Sequence, residues 1–535
     1  MVVESLAAPP EEAAPGRRLS ICLINPKFDP SYWGFDYALP LYPGDKRCTM
    51  ITGALPTLAG LVPRGHEVVL LDENVEPIDF DSLRRFDVVG VTGMNVQKKR
   101  LLEILARLRD REGLVVVGGA YVTVDQDCVA GLCDVVFRGE AETTWPVFLA
   151  SLAAGEPVQR VYRQTEPTDM GAVLKPRYDL LKVERYASGA LQFSRGCPFQ
   201  CEFCDIIVTF GRKPRHRRPE HVIEEIEDMW RAGFHSVFIV DDNFIGNKKA
   251  AKALLRLIIP WQESHGYPLR LSTEASINLA DDSELLDLMY HANFRHVFIG
   301  IETPRESSLR ETRKFQNVRG DSLAAKLERI QQKGIDVHGG FIVGFDSDDR
   351  SVFEEQYRFI QDNGILLAMV GMLQAIPTTP LYDRLKAENR LVEDDNCNVQ
   401  PAGMTREELR AGYWNLVTRL YEPEAFLDRY FRAYRLPEYH RRRAEIARKA
   451  NEGRFVPTLL YGLALLWTLS WALVRDGSLG TVGRVYLRYF FKVNWRYRRD
   501  VVGFAQFANR CVTHWHFFRF TREASAGRLR LYNSG

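Results

Sequence analysis

Three cysteines within eight residues are the part of the sequence best suited to chemistry: Cys197, Cys201 and Cys204, in CxxxCxxC spacing. Gly196 and Pro198 interrupt the apolar run before them, so the pattern predicts a strand followed by a tight loop. A loop can fold several thiolates around one metal centre, and thiolates hold iron–sulfur clusters, normally four to a cubane. Because no fourth cysteine is near, one iron would keep an open coordination position, as catalytic metal sites do.

Two other interpretations of the cysteines are a zinc site and buried thiols that bind nothing. Zinc sites usually take pairs of ligands from two distant segments. The sequence has no second CxxC pair, which favours the cluster.

The motif resembles the signature of the radical S-adenosylmethionine (SAM) enzymes, which place an aromatic residue, here Phe203, before the last cysteine. The resemblance implies that Cys197, Cys201 and Cys204 ligate a 4Fe–4S cluster whose fourth iron chelates the amino and carboxylate groups of SAM. It also implies that the reduced cluster cleaves SAM to methionine and a 5'-deoxyadenosyl radical. The required electron would come from an external donor of ferredoxin or flavodoxin type. In such enzymes the cofactor supplies the chemistry, and the protein binds and orients it.

The elements before the cysteines alternate between strands and helices. Apolar runs at 19–24, 67–71, 88–92 and 114–117 predict strands, and helical patterns at 51–61 and 96–109 separate them. This order predicts a doubly wound, Rossmann-like parallel sheet, whose ligands lie outside the carboxyl ends of the strands. The candidate binding residues at those ends are Asn25, Asp72, Asn74, Thr92, Gly118 and Gly119.

This half resembles the cobalamin-binding domain that precedes the barrel in one large class of radical SAM enzymes. The likeness lies in the stretches Val115 to Gly119 and Phe137 to Glu142. The DxHxxG motif, whose histidine ligates cobalt in many cobalamin proteins, is absent, and Asp72 to Glu76 takes its place. The resemblance therefore implies base-off cobalamin without a histidine ligand; the alternative is a domain that has lost its cofactor.

The elements after the cysteines predict a partial, TIM-like β/α barrel. Strand patterns at 236–240, 269–273, 296–301, 338–343 and 369–375 alternate with helical patterns. The active site of such a barrel lies at the carboxyl ends of its strands, and carboxylates there can also be ordinary helix caps. The polar residues at these ends are Asp242, Asn243, Glu274, Glu302 and Asp346.

By resemblance, Asp242 and Asn243 contact the SAM amino group, and Glu274 and Glu302 meet other polar groups, including the ribose. The stretch from Gly340 through Gly344 to Asp346 matches the superfamily pattern GxIxGxxE with Asp for Glu, and would pack against adenine. These matches are less specific than the cysteines, because carboxylates are common at strand ends.

Length and composition fit three domains in 535 residues: a cobalamin-binding-like domain (18–155), a barrel (187–395) and a mainly helical tail (396–535). A disordered lead-in (1–17) precedes the first domain, and a linker (156–186) joins it to the barrel. The formal net charge of +2 does not indicate a polyanionic binding partner, so no nucleic-acid partner is expected. The acidic, proline-rich start lacks the features of a signal peptide. With an oxygen-sensitive cluster, these features favour the cytoplasm.

The tail contains residues 455–474, an uncharged run of twenty, and residues 484–499, where aromatic and basic residues interleave. Twenty residues are long enough to span a bilayer, and the second stretch suits a helix lying in a membrane interface. Buried helices of a third domain are the alternative. A cytoplasmic protein at the inner face of the membrane is compatible with both stretches.

The domain order resembles cobalamin-dependent radical SAM proteins near the hopanoid methylases. This implies methylation of an unactivated carbon, by a deoxyadenosyl radical and methylcobalamin, on a small-molecule, lipid-like or isoprenoid substrate. The alternatives are a radical SAM cyclase or rearrangement enzyme without methyl transfer, and a non-catalytic sensor that uses the cluster and cobalamin.

Overall fold

A computed structural model describes residues 16–173, 175–394, 397–450, 454–497 and 501–529. The lead-in predicted for residues 1–17 lies outside this description except for its last two residues. Strands are numbered β1 to β15 and helices α1 to α18 along the chain.

The first sheet has six parallel strands in the order β3-β1-β4-β5-β6-β7, as the doubly wound prediction requires. The central strands are apolar on both faces, because helices and the rest of the molecule cover both sides. The strands are β1 (Ser20–Asn25), β3 (Glu67–Asp72), β4 (Val88–Thr92), β5 (Leu114–Gly118), β6 (Val135–Arg138) and β7 (Val161–Arg163). The helices are α1 (Ala54–Gly60), α2 (Lys98–Leu108), α3 (Ala120–Val124) and α4 (Thr144–Ala153).

The second sheet has seven parallel strands in the order β15-β14-β13-β12-β11-β8-β2, and its two edges do not pair with each other. It is therefore the partial barrel that the sequence predicts. The strands are β2 (Cys48–Met50), β8 (Tyr186–Leu191), β11 (Ser236–Ile239), β12 (Arg270–Ala275), β13 (Phe294–Glu302), β14 (Asp336–Val343) and β15 (Leu367–Met372). The helices are α6 (Pro219–Arg231), α7 (Lys248–Ser264), α8 (Ser283–His291), α9 (Glu306–Glu311), α10 (Leu323–Gln332), α11 (Val352–Asp362) and α12 (Pro380–Ala387).

Two strands differ from the sequence-based expectation. β2 comes from the first third of the chain yet pairs with β8 at the barrel edge, so the barrel sheet is completed by a segment distant in sequence. β7 lies within residues 156–186, the stretch assigned to a linker, and pairs with β6. Both have only three residues, too short for a recognisable alternation of apolar and polar side chains.

The lumen of the partial barrel has open space partly because several of its inward positions carry small side chains. Ser188, Ser272, Gly300, Gly340 and Gly371 line the interior cavity, while the alternate positions on the same strands pack outward against helices. A closed TIM barrel fills this space with large branched side chains. Here the strands leave room for ligands along their whole length.

The tail is helical and packs against both sheets. His516 on the buried helix α18 bonds through Nε2 to the carbonyl oxygens of Ser31 and Tyr32 at 3.1 Å, which ties the tail to the first domain. The helices are α13 (Arg406–Leu420), α14 (Pro423–Ala433), α15 (Pro437–Ala450), α16 (Phe455–Arg475), α17 (Arg484–Tyr497) and α18 (Val501–Ser525).

Helix α16 has the length and apolar composition to cross a membrane, but one of its faces is packed on protein. Gly462 lies against Phe504 and Ala505 of α18, and Leu465 and Leu469 are also buried. In residues 484–499, which the sequence singles out for interleaved aromatic and basic side chains, the side chains from 493 onward lie outside the described residues.

A small antiparallel ribbon and a buried ion-pair network join the two sheets. β9 (Ser194–Arg195) pairs with β10 (Arg215–His216), and a short helix, α5 (Ile206–Thr209), lies between them in sequence. The Arg195 guanidinium contacts Glu140 and Glu142 of the first domain, each at 2.6 Å, and all three side chains are largely buried.

Arg195→Met should lower the free energy of unfolding by about 3–5 kcal/mol, because it leaves the buried Glu142 carboxylate without its cation and Glu140 with only Arg215, at 3.1 Å. Chemical denaturation of the full chain measures this loss. The matched control is Arg177→Met, which removes an exposed pair with Asp179 and should cost about 0–1 kcal/mol. Equal effects of the two substitutions would contradict the structural role of Arg195.

Candidate active site

A chamber of about 2290 Å³ lies between the first domain and the barrel and continues down the barrel lumen. Its wall includes Asn25, Thr92 and Gly119 from the carboxyl edge of the first sheet, and Glu274 and Glu302 from the barrel. Ligand pockets for one drug-sized molecule usually measure about 300–1,000 Å³. The chamber therefore has room for more than one ligand.

Arg195 and Asp205, on either side of the cysteine loop, line this chamber, while the three cysteines are not among its described lining residues. The loop is held by two buried carboxylates from the end of β11. Asp241 accepts hydrogen bonds from the backbone N–H groups of Phe193 and Ser194 at 2.7 and 2.9 Å. Asp242 accepts one from the N–H of Gly196 at 2.7 Å. Gly196 has a φ of 94°, and a Cβ there would lie 3.0 Å from a backbone oxygen, so only glycine suits this turn.

Burial raises the pKa values of both carboxyl groups, that of Asp241 to about 7 and that of Asp242 to about 6. Asp242 was assigned by resemblance to the SAM amino group, and in this structure its described bond is to the cysteine loop. The assignment stays a prediction.

The sulfur atoms have amide donors beside them. Asn243 Nδ2 lies 3.8 Å from Cys197 Sγ, and Gln316 Nε2 lies 3.5 Å from Cys201 Sγ. Donors to sulfur tune the potential of iron–sulfur clusters. Burial raises the pKa of Cys204 to about 12, so its thiol is neutral until a metal ion displaces the proton. The donor set fits a cluster held by three thiolates.

Among the described residues, no three His, Cys, Asp or Glu side chains converge tightly enough to hold a single metal ion. A cubane does not need such convergence, because each cysteine ligates a separate iron. The chain's CxxH pair, Cys511 and His514, lies in the tail helix α18, where His514 bonds to the carbonyl of Tyr421 at 3.0 Å.

Lys314 and Gln316, which sequence reasoning missed, follow α9 in an irregular segment. The Lys314 ammonium is buried, pairs with Glu302 and lies 5.8 Å from the centre of the Phe203 ring. Burial lowers the pKa of Lys314, but the adjacent Glu302 carboxylate outweighs it and raises the pKa, so the lysine stays charged. No motif marks these residues, because their position depends on how the chain after β13 folds back.

Glu302 is held at the end of β13 in an unusual backbone conformation. Its φ is 64°, at a register shift between β13 and β14. A Cβ on Gly300 would lie 2.6 Å from both Glu302 Oε1 and Lys314 Nζ, so the pair occupies the space that a side chain would fill. Strain of this kind is typical of functional sites.

The remaining barrel candidates separate into two groups. Glu274 and Gly340 line the chamber together with Glu302. Asp346 instead pairs with Arg384 at 2.8 Å and with Arg390, and Gly344 has a φ of 103° beside Leu409. Gly344 and Asp346 are not among the described residues that line the chamber. The structure thus places the adenine-contact motif only partly at the cavity.

The carboxyl edge of the first sheet forms a cradle of backbone atoms. Gly119 has a φ of 101°, and a Cβ there would lie 2.6 Å from Thr92 Oγ1 and 2.8 Å from the nitrogen of Gly93. Gly118 packs beneath the edge against Phe137. Such a bare backbone surface fits a bulky ligand that approaches closely.

The acidic stretch that replaces DxHxxG is occupied by internal hydrogen bonds. Asp72 accepts from Asn25 at 3.1 Å, from Asn74 at 2.6 Å and from the Tyr186 hydroxyl of β8 at 2.9 Å. The described histidines that line the chamber all belong to the barrel: His235, His296 and His338. The edge therefore fits cobalamin bound without a histidine from this domain.

Three family models match the chain in the order of its domains. Residues 50–149 match the B12 binding domain, residues 191–360 the radical SAM superfamily, and residues 379–529 a domain of unknown function, DUF4070.

Two curated relatives cover most of the chain. The hopanoid C-2 methylase of Rhodopseudomonas palustris is 33% identical over 96% of this chain and 95% of its own length. An uncharacterized methyltransferase of Synechocystis sp. is 40% identical over 77% of this chain and 78% of its own length.

Two solved structures share the fold. The cobalamin-dependent SAM radical enzyme OxsB, with aqua-cobalamin and SAM bound, aligns with a TM-score of 0.60 and 14% identity, over 96% of this chain and 84% of its own. The radical SAM methyltransferase TsrM of Kitasatospora setae, with cobalamin and a 4Fe–4S cluster bound, aligns with a TM-score of 0.54 and 18% identity, over 70% of this chain and 78% of its own.

The cofactors are therefore a 4Fe–4S cluster, SAM and cobalamin, as the sequence predicts. The cysteine triad, the two sheets that face one chamber and the sequence identity with a relative over nearly the whole length all lead to one family. The chain belongs to the cobalamin-dependent radical SAM methyltransferases, close to the hopanoid C-2 methylases.

Proposed function

We propose that this enzyme methylates an unactivated carbon of a lipid-like or isoprenoid substrate. The observation that carries the proposal is the shared chamber: the cradle around Gly119 and the barrel residues Glu274 and Glu302 line the same space. A carbon placed between them would lie within reach of both cofactors. An sp³ C–H bond has no acidity for a base to exploit, so cofactor chemistry is required.

When bound, the cluster and SAM supply a radical able to remove hydrogen from such a carbon, and cobalamin supplies the methyl group. The chain's own residues position these groups. Asp241 and Asp242 fix the cysteine loop, Lys314 pairs with the buried Glu302 carboxylate, and Arg195 fixes the cysteine loop against the first domain. An external one-electron donor of ferredoxin or flavodoxin type completes the proposal.

The chamber wall supports an apolar substrate. Trp33, Phe35, Phe298, Met369 and Tyr413 line it, and the indole N–H of Trp33 lies 2.9 Å from the sulfur of Met369. Apolar and aromatic walls with a few polar groups suit a hydrophobic ligand.

The outer face of α16 supports peripheral contact with a membrane from which such a substrate could be taken. Trp467 and Trp471 are 76% and 58% exposed, and Val456 and Leu460 are each 60% exposed. Residues 454–499 include eight Lys or Arg residues but a single acidic residue, Asp476. Exposed tryptophans with basic neighbours are typical of helices that lie in the plane of an anionic membrane surface.

The function is tested with anaerobically purified, reconstituted enzyme, a reductant, SAM, cobalamin and a host lipid extract. We expect 5'-deoxyadenosine, S-adenosylhomocysteine and a product heavier by one methylene unit, all detected by mass spectrometry. Cys201→Ala should lose the cluster absorbance and SAM cleavage, because two thiolates cannot hold the cubane. Cys128→Ala, in the first domain, should retain both. A product that has lost hydrogens without gaining carbon would favour the cyclase.

The affinity for SAM should rise with pH between 6 and 8. Burial, together with repulsion from Asp242 and Asp241, raises the pKa of Glu274 to about 7. Its carboxylate, a stronger acceptor than the acid, forms as the pH rises through that value. Below it, affinity should fall by up to about tenfold per pH unit. Equilibrium dialysis measures this.

Glu274→Gln should bind SAM weakly, with an affinity that depends less on pH because only Asp241 and Asp242 still titrate in this range. The surface variant Glu306→Gln should behave as wild type. A carboxyl group whose pKa is raised in the folded state stabilises that state at low pH, and this stabilisation is lost as the pH rises through 7. The Gln variant should therefore be more stable than wild type at pH 8. An unchanged pH profile in this variant would argue against a SAM contact at Glu274.

Trp467→Ser combined with Trp471→Ser should weaken binding to vesicles of phosphatidylglycerol and phosphatidylcholine at least about tenfold, because burying each large apolar side chain contributes about 1.5–3 kcal/mol. Vesicle co-sedimentation measures the partition coefficient. The control Val147→Ser removes a side chain that is 57% exposed on α4 and should have no effect. Equal binding of all three proteins would refute the membrane-facing role of α16.

A further inference from the structure

The floor of the barrel lumen, at the amino-terminal ends of its strands, carries an excess of positive charge. Four arginines line the chamber there: Arg270, Arg295, Arg443 and Arg510. Among the described residues, a single carboxylate forms ion pairs with this group: Asp336, at the start of β14. This cluster is at the opposite end of the strands from Glu274 and Glu302.

Both carboxylate oxygens of Asp336 already have partners. Its Oδ2 lies 2.6 Å from Arg510 Nη2 and 3.3 Å from Arg443 Nη2, and its Oδ1 accepts from the Tyr439 hydroxyl at 2.5 Å. Despite deep burial, the arginines hold the pKa of Asp336 well below its usual range. Asp336 therefore compensates Arg443 and Arg510 and has no remaining oxygen directed at the other two.

Arg295 and Arg270 make no side-chain hydrogen bond or ion pair with any described residue. Burial and the neighbouring Arg443 and Arg270 lower the pKa of Arg295 to about 9, which is still above neutral pH. Guanidinium groups remain protonated in proteins. A buried charge without a partner is costly, so Arg295 needs an anion from outside the chain. Arg270 is exposed and lines the same cavity, so it can reach the same anion.

Two stacked histidines lie next to the arginines in the lumen. The rings of His296 and His338 are 4.4 Å apart, and His338 Nε2 is buried without a hydrogen-bond partner. Burial lowers the pKa of both rings, so each is neutral and offers one donor and one acceptor. An orphaned, buried ring nitrogen on a residue that lines the cavity is a second sign that a polar ligand group belongs nearby.

We propose that Arg270, Arg295 and His338 form an anion subsite that binds the acidic end, a phosphate or carboxylate, of an amphiphilic lipid substrate. The inference rests on the proposed function in taking the lumen as the substrate site. From Arg295 to Glu302, seven residues along β13, the distance is about 23 Å. A chain of about sixteen carbons together with its acidic head group spans this length, which places its far end beside the cofactors.

The entrance is consistent with a ligand taken from a lipid surface. Pro457 and Tyr461, on the inner side of α16, line the same chamber near Arg270 and Tyr267. The amino-terminal turns of α16 and the anion subsite therefore border one continuous cavity.

The test measures binding to the full-length holoenzyme by quenching of tryptophan fluorescence, with Trp33 in the chamber wall as the reporter. The probes are hexadecyl phosphate, hexadecan-1-ol and inorganic phosphate, each below its aggregation concentration. We expect wild type to bind hexadecyl phosphate at least about tenfold more tightly than either other probe, since a charge-assisted bidentate pair is worth 1.4 kcal/mol or more.

Arg295→Met and Arg270→Met should each reduce that preference to less than threefold without weakening hexadecanol binding. Arg295→Lys should retain part of it. The control Arg84→Met removes an arginine that is 80% exposed on the first domain and should keep the full preference. The melting temperature of Arg295→Met without ligand should not fall, because an uncompensated charge is removed.

Equal affinity of wild type for the phosphate and the alcohol, or a full preference in Arg295→Met, would overturn the subsite. Inorganic phosphate binding as tightly as hexadecyl phosphate would overturn the lipid assignment and indicate a free-anion site. A marked loss of stability in Arg295→Met would assign Arg295 a structural role instead. None of these readouts depends on turnover, so a failure of methyl transfer would leave them unchanged.

Discussion

The clamp of Arg195 between Glu140 and Glu142 is the interaction on which the arrangement of the active site depends. Arg195 begins the cysteine loop, and the two glutamates follow β6 of the first domain. Two cofactors held on separate domains can act on one carbon only if the domains keep a fixed separation. Because the ion pairs are buried, the low local dielectric strengthens them and makes the geometry costly to change.

A second constraint is that the lumen stays open. Glycine and serine at inward positions remove the packing that fills a closed barrel, and the lost burial is recovered on the outer face, where Val237, Ile239 and Val297 pack against helices. The space gained is lined by charged groups at both ends: carboxylates at the carboxyl ends of the strands and arginines at the floor. A molecule with one acidic and one apolar end matches this polarity.

The tail completes the cavity rather than forming a separate body. Helix α18 is buried between the first domain and the barrel, and it supplies Arg510 to the lumen floor. Helix α16 covers α18 with one face and leaves the other face apolar and exposed. The same helix therefore closes the chamber on one side and offers a surface for a lipid bilayer on the other.

The sequence by itself determined the cysteine triad, the doubly wound and barrel domains, and the family, because these depend on local spacing and on strand–helix periodicity. It also identified Glu274, Glu302, Gly119 and Thr92 as strand-end residues, since the carboxyl ends of parallel strands meet at one edge. Only the tertiary structure decided that β2 joins the barrel sheet and that Asp346 faces two arginines. It also placed Lys314 beside Glu302, Gln316 beside Cys201, and the floor arginines at the chamber. Those placements result from contacts between residues far apart in the chain, and no local pattern encodes them.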